Sequence, residues 1–253
     1  GISGRRAPFG YQNQEIRRLS EDGRGIMGFG TGLGKTTTAL ALGLYNIENG
    51  RSTRQAYVVP KAVYENWYYE AKSFYSEEMF NKILFVGLDT IPDDAGGIRQ
   101  VQVRGENGEP KFDDNGVPVM RDALKISDSA TIKARMNMIP QSNYPIVVMT
   151  KEQYAAIPMR EETIRDHAHD VLFAQAEAGR VKILAETYKE QQKKNRLLSE
   201  HSDTGTEKQH DFPYFEDMQF DSVIVDEGHN YRNSYSAGRE ASQLAYLPVP
   251  SVS

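Results

Sequence analysis

Nine residues near the amino end, Gly28-Phe-Gly-Thr-Gly-Leu-Gly-Lys-Thr36, combine glycines, a lysine and a hydroxyl in an order suited to gripping phosphate. A helix starting there presents free backbone N–H groups and the positive end of its dipole. Glycines let that backbone wrap closely around anionic oxygens. Gly30, Thr31, Gly32, Leu33, Gly34 and Lys35 would form the cradle, with Thr36 and Thr37 opening the helix. Lys35 would reach the β- and γ-phosphates of a nucleoside triphosphate, and the Thr36 hydroxyl would ligate Mg²⁺. The strict spelling of such a loop has glycine where this chain has Phe29.

A second group lies far along the chain, where Val223-Ile-Val-Asp-Glu-Gly-His229 ends an apolar run in two carboxylates. Such a strand places its acids at the carboxyl edge of a sheet, where a phosphate loop also sits. Asp226 would hold Mg²⁺ through water, and Glu227 would polarise the attacking water for γ-phosphate hydrolysis. Alone, Asp-Glu after a strand is a weak signal, since many strands end in solvated acids. Its weight comes from the phosphate loop. Together the two groups imply ATP and Mg²⁺ as cofactors.

The elements that must position these groups alternate. Gly25-Ile-Met-Gly-Phe29 reads as a short strand running into the loop, and Thr36 to Glu48 has helical spacing. Gln55 to Pro60 is a β-rich strand stopped by proline, Ala62 to Tyr75 an aromatic-rich helix, and Lys82 to Val86 another strand. This order predicts an α/β fold with a mostly parallel sheet and helices on both faces. From about 88 to 128 three turn clusters interrupt the rhythm and predict a protruding β-hairpin or two. A helix capped near Asp128 or Ser129 follows, then a strand over Tyr144 to Met149. A second insertion, about 156 to 215, is helical and charged, with a loop over His201 to His210. Its basic run, Lys189 to Arg196, could line a DNA path, but with Glu186 and Glu190 nearby it reads as the wet face of a long helix.

Composition narrows the classes. The 253 residues contain no cysteine, which excludes disulfides, thiol nucleophiles and cysteine-bound zinc and fits a cytoplasmic protein. His167 and His169 are two apart on an expected helix and face different ways, so they make a poor metal pair. No apolar run approaches a membrane span. The net charge of −5 argues against a generally basic nucleic-acid coat, though not against a local basic groove.

These motifs resemble those of superfamily-2, helicase-like ATPases, and most specifically the Swi/Snf-type DNA translocases. Gly32-Leu-Gly-Lys-Thr36 is similar to that family's phosphate loop, and Asp226-Glu-Gly-His229 is a variant of its Asp-Glu-x-His (DEAH-like) box. Val58-Val-Pro-Lys-Ala-Val-Tyr-Glu-Asn-Trp67 is similar to motif Ia, and Val147 to Tyr154 to motif Ib. Phe9-Gly-Tyr-Gln12 looks like the adenine-reading segment, with Gln12 as the base contact. The resemblance implies a RecA-like P-loop lobe, with His229 coupling the site to neighbouring groups. It also implies contacts from Lys61, Thr150 and Lys151 to one strand of duplex DNA, where each could equally be an ordinary surface residue. Trp67 reads as a core anchor rather than a base-stacking platform.

Asp226 lies 191 positions after Lys35, a long separation for such a lobe, and the two insertions account for the excess. Decorated inserts of this kind are common in phage and mobile-element relatives, including fusions to DNA methyltransferases. A Thr-Ala-Thr-Pro-like coupling motif and a second RecA-like lobe are both expected of a working motor. The chain begins at Gly1 and contains neither, which predicts a segment of a larger protein. Two other readings stand beside the translocase: a phage packaging-type ATPase, and a silent structural module of a complex or virion.

Overall fold

A computed structural model describes residues 8–28, 33–105, 107–160, 162–163 and 212–227. Four parallel strands form its sheet: β1 (Gln55–Val59), β2 (Ile83–Phe85), β7 (Ile146–Thr150) and β8 (Ser222–Val225), in the order β2-β7-β1-β8. Register aligns Val59 with Thr150 and Val58 with Val225, so these three strands end at one level. All five residues of β1 and of β7 are buried, as expected for strands covered on both faces.

Side chains alternate between two cores, following the two-residue period of a strand. Tyr57, Val59, Phe85, Ile146 and Val148 pack with α1 (Gly10–Asp22), α2 (Lys35–Glu48) and α3 (Tyr64–Phe74). Ala56, Val58, Leu84, Val147 and Met149 face the other way, onto Met136 of α5 (Ser129–Met138), Tyr154 of α6 (Lys151–Ala155), Met218 and Phe220. The short α4 (Glu77–Phe80) leads into β2. At the amino edge Asp221 accepts from Thr53 N at 2.6 Å and Thr53 Oγ1 at 2.7 Å, anchoring the entry to β8.

The expected strand before the phosphate loop does not form. Residues 24–28 form no regular element and pair with no strand, and Ile26 is 80% exposed. Two glycines in so short a run weaken a strand, because they add backbone entropy and no side chain to pack. Among the described residues, β8 is therefore an edge strand.

The first insertion is more elaborate than one or two hairpins. A stalk of β3 (Leu88–Thr90) and β6 (Leu124–Ile126) carries an arm of β4 (Gln100–Gln102) and β5 (Met120–Asp122). Three tips are closed by the bridges Pro92↔Ile98, Arg104↔Pro110 and Phe112↔Pro118. The ribbons branch at two closed rings of backbone hydrogen bonds. In the first, Ile91 N donates to Ala123 O, Ala123 N to Arg99 O and Arg99 N to Ile91 O, each at 2.8 Å. The second joins Val103, Lys111 and Val119 in the same way. Each ring satisfies the backbone where one ribbon divides into two.

Arg135 of α5 pins the stalk to the sheet, donating to the carbonyls of Phe85, Val86 and Leu88 at 3.1 Å and ion-pairing with Asp89. The cap expected for α5 is present, with Asp128 accepting from Thr131 N at 2.7 Å. The second insertion, including Lys189 to Arg196, His167, His169 and His201 to His210, lies outside the described residues apart from its two ends.

Candidate functional site

Helix α2 runs antiparallel to β1. Tyr57 Oη donates to Ala39 O at 3.1 Å, and Gln55 Nε2 donates to Gly43 O at 2.7 Å. Four helical residues rise about 6 Å, nearly the length of two strand residues. Continuing that match brings Lys35 level with Val59, at the carboxyl edge where β8 delivers Asp226. The start of α2 and the two carboxylates therefore meet at one end of the sheet.

Lys35, Thr36 and Thr37 are half-buried in the first turn of α2, and Thr38 Oγ1 donates back to Gly34 O at 3.0 Å. Gly34 precedes the helix with φ 73°, a left-handed conformation that glycine adopts without strain. A Cβ there would sit 2.7 Å from Gln12 Nε2, so the loop closes tightly against α1. Leu33 is 48% exposed, whereas Gly30, Thr31 and Gly32 lie outside the described residues.

Gln12 sits beside the loop and is 2% exposed. Its Oε1 accepts from Phe9 N at 2.8 Å, and its Nε2 donates to Leu33 O at 3.2 Å and Gly34 O at 3.4 Å. Its amide thus ties the start of α1 to the end of the phosphate loop. Phe9 and Tyr11 stack with centroids 5.9 Å apart and planes 9° from parallel, leaving an exposed aromatic surface beside it.

At the end of β8, Asp226 N continues the ladder to Val58 O at 2.9 Å. One carboxylate oxygen, Oδ1, accepts from Glu227 N at 2.9 Å, and the other, Oδ2, accepts from the indole Nε1 of Trp67 at 3.0 Å. Glu227 is exposed and takes φ 56°, uncommon for a residue with a side chain. His229 lies outside the described residues.

No group of three or more His, Cys, Asp or Glu side chains able to hold a metal occurs among the described residues. Mg²⁺ suits such a setting, since it takes few protein oxygens and shares the rest with phosphates and water. Asp226 and Thr36 are hard oxygen donors at the same sheet edge, and the closed turn at Gly34 leaves room only for backbone. The residues fit Mg²⁺ bound with a nucleotide.

The three expected DNA contacts are placed differently from one another. Lys61 opens a 3-10 turn over Lys61–Val63, directly after Pro60, and is exposed. Thr150 is 6% exposed and its hydroxyl caps α6, accepting from Gln153 N at 3.3 Å. Lys151 is 8% exposed. Of the three, Lys61 presents its charge at the surface.

Trp67 is the core anchor expected of it, 2% exposed and packed on Tyr57 with centroids 5.4 Å apart. Its hydrogen bond to Asp226 is not signalled by either motif. The general signal is that a buried tryptophan usually finds an acceptor for its N–H.

The sequence profile of the SNF2-related domain family matches residues 15–245. The chain is also 65% identical over 254 residues to the protein named Defense against restriction protein B from Escherichia phage P1. That alignment takes in 100% of this chain and 11% of the relative, so the chain spans a small part of the relative's length. No solved structure matches it.

Proposed function

Because the chain belongs to the SNF2-related domain family, we propose that it is the ATP-binding lobe of a DNA-dependent, helicase-like ATPase that uses ATP hydrolysis to translocate along duplex DNA. The observation that carries this reading is the common level of the α2 start and of Asp226-Glu227 at the carboxyl edge of the sheet. Phosphoryl transfer is largely a matter of positioning and charge stabilisation, and these residues supply both. Lys35 offsets phosphate charge, Thr36 and Asp226 hold Mg²⁺, and Glu227 accepts the proton of the attacking water. The exposed Phe9–Tyr11 surface suits stacking on an adenine, and Gln12, whose amide is engaged within the chain, holds that surface against the phosphate loop instead of reading the base directly. Lys61 takes a phosphate of the DNA backbone, with Thr150 and Lys151 supporting the neighbouring strand end.

Family membership favours this reading over a packaging-type ATPase. Lys35, Thr36, Asp226 and Glu227 are all present, which leaves the silent-module reading without support from the residues. A second RecA-like lobe in the same parent chain completes the motor in this proposal. The name of the phage P1 relative adds a setting for the parent protein, defense against restriction.

The test is ATP hydrolysis by the parent protein with and without duplex DNA. Duplex should stimulate hydrolysis, and Glu227→Gln should lower the rate by about 10²–10⁴, the range for losing a general base. No hydrolysis with any nucleic acid overturns the proposal.

A further inference from the structure

We propose that Trp67 is a positioning residue for the Asp226 carboxylate, joining the Mg²⁺ site to the core between α2 and α3. The inference rests on the ATP-binding reading above. A carboxylate has about four acceptor positions. Trp67 Nε1 occupies one on Oδ2 and Glu227 N one on Oδ1, at 3.0 and 2.9 Å. Two donors on different oxygens fix the plane of the carboxylate and leave one position on each oxygen for water or metal.

The donor is itself immobilised. The Trp67 ring is 2% exposed and packs on Tyr57, whose hydroxyl donates to Ala39 O of α2. One line of contacts thus runs from the phosphate-loop helix through Tyr57 and Trp67 to Asp226. The same helix α3 follows directly from the 3-10 turn that begins at Lys61. Lys61 and Trp67 are six positions apart, on the order of 10 Å along helical backbone. Lys61 and the donor that orients Asp226 therefore lie on one short stretch of chain.

Partners that orient a metal ligand typically account for 10–100-fold in metal affinity. In the parent protein, Trp67→Phe keeps a buried ring and deletes the N–H, whereas Trp67→His keeps a ring N–H in case phenylalanine packs poorly. Phe74→Leu damages the same helix at a buried position away from Asp226. The readout is binding of a fluorescent ATP analogue as Mg²⁺ is titrated, which requires no turnover.

Trp67→Phe should raise the half-saturating Mg²⁺ about tenfold, with binding restored at high Mg²⁺. Trp67→His should recover part of that shift, and Phe74→Leu should lower the melting temperature without moving the Mg²⁺ midpoint. An unchanged midpoint in Trp67→Phe, or an equal shift in Phe74→Leu, overturns the role of Trp67 alone. Absence of Mg²⁺-dependent nucleotide binding by the unaltered protein overturns the ATP-binding reading and this inference with it.

Discussion

Trp67 Nε1 donates to Asp226 Oδ2 at 3.0 Å, across 159 positions of sequence. One end of the indole belongs to the core between α2, α3 and the sheet; the other end faces the candidate metal ligand. A buried tryptophan is stable in such a place because its apolar body and its single donor are both satisfied. Packing and site geometry are consequently coupled, and changes in the α3 core should be felt at Asp226.

Lys35 occupies the first position of α2, half-buried, with its charge directed at ligand rather than at a structural partner in the proposed reading. Lys35→Ala should abolish nucleotide binding and leave the thermal melt nearly unchanged, since substitutions away from core contacts stay within about ±0.5 kcal/mol. Isothermal titration with ATP and a melting curve check both halves. Global unfolding of the variant would mark Lys35 as a structural lysine.

Gly34 is constrained twice, by φ 73° and by the 2.7 Å separation that a Cβ at this position would have from Gln12 Nε2. Gly34→Ala should destabilise the lobe by about 1 kcal/mol or more from backbone strain alone. It should also displace Gln12 and weaken nucleotide binding. Combining it with Gln12→Ala removes the side chain in the way, so the two losses should fall short of additivity. A double-mutant cycle by urea denaturation measures this, and strict additivity would show that the contact is relieved elsewhere.

The buried strands and the helices α2, α3 and α5 were legible because each is a local signal. Val147 to Met149 is an apolar run, and Asp128 caps the helix it precedes. The strand expected at 25–29 failed for the complementary reason, since a few apolar residues say nothing of a pairing partner. In the insertion, three turn signals were visible, but the rings joining Ile91, Arg99 and Ala123 depend on how ribbons meet. The candidate site divides along the same line. The residue types at Lys35, Thr36, Asp226 and Glu227 carry their own chemistry. The burial of Gln12 and the Trp67–Asp226 bond arise only when distant segments are brought together.

Asp122 roots the insertion in the lobe. It is 3% exposed and accepts from Tyr68 Oη at 2.7 Å, from Gln100 Nε2 at 2.8 Å and from Lys72. Burial by itself would raise its carboxyl pKa, but the hydrogen bonds from Lys72, Gln100 and Tyr68 together hold it below the ordinary aspartate value. Asp122→Ala should cost about 1.5–3 kcal/mol, the scale for hydrogen bonds to a charged group. With the folded value depressed, this contribution is complete above the ordinary value of about 3.9 and is lost as pH falls through the folded value. The stability gap between parent and variant should therefore begin to narrow as pH falls below about 4. A gap that stays constant down to about pH 2 would mean that the ionised carboxylate is not what stabilises the root.

The tyrosines of the α2–α3 core set the alkaline limit. Tyr57 and Tyr75 donate to Ala39 O at 3.1 Å and Leu40 O at 2.8 Å, and burial pushes both phenols well above the ordinary tyrosine value. Tyr64 is raised in the same direction, again chiefly by burial. A folded value above the unfolded one gives stability that is complete below the ordinary pKa of about 10 and is lost as pH rises toward the folded value. These phenols cannot ionise in place at moderate alkalinity, so their ionisation should coincide with unfolding. Phenolate absorbance and loss of far-ultraviolet ellipticity should share one midpoint for this group, after an earlier rise from exposed tyrosines. Full phenolate absorbance with ellipticity intact would show that the core admits water at Tyr57 and Tyr75, and the packing that holds Trp67 on Asp226 would then be looser than the structure has it.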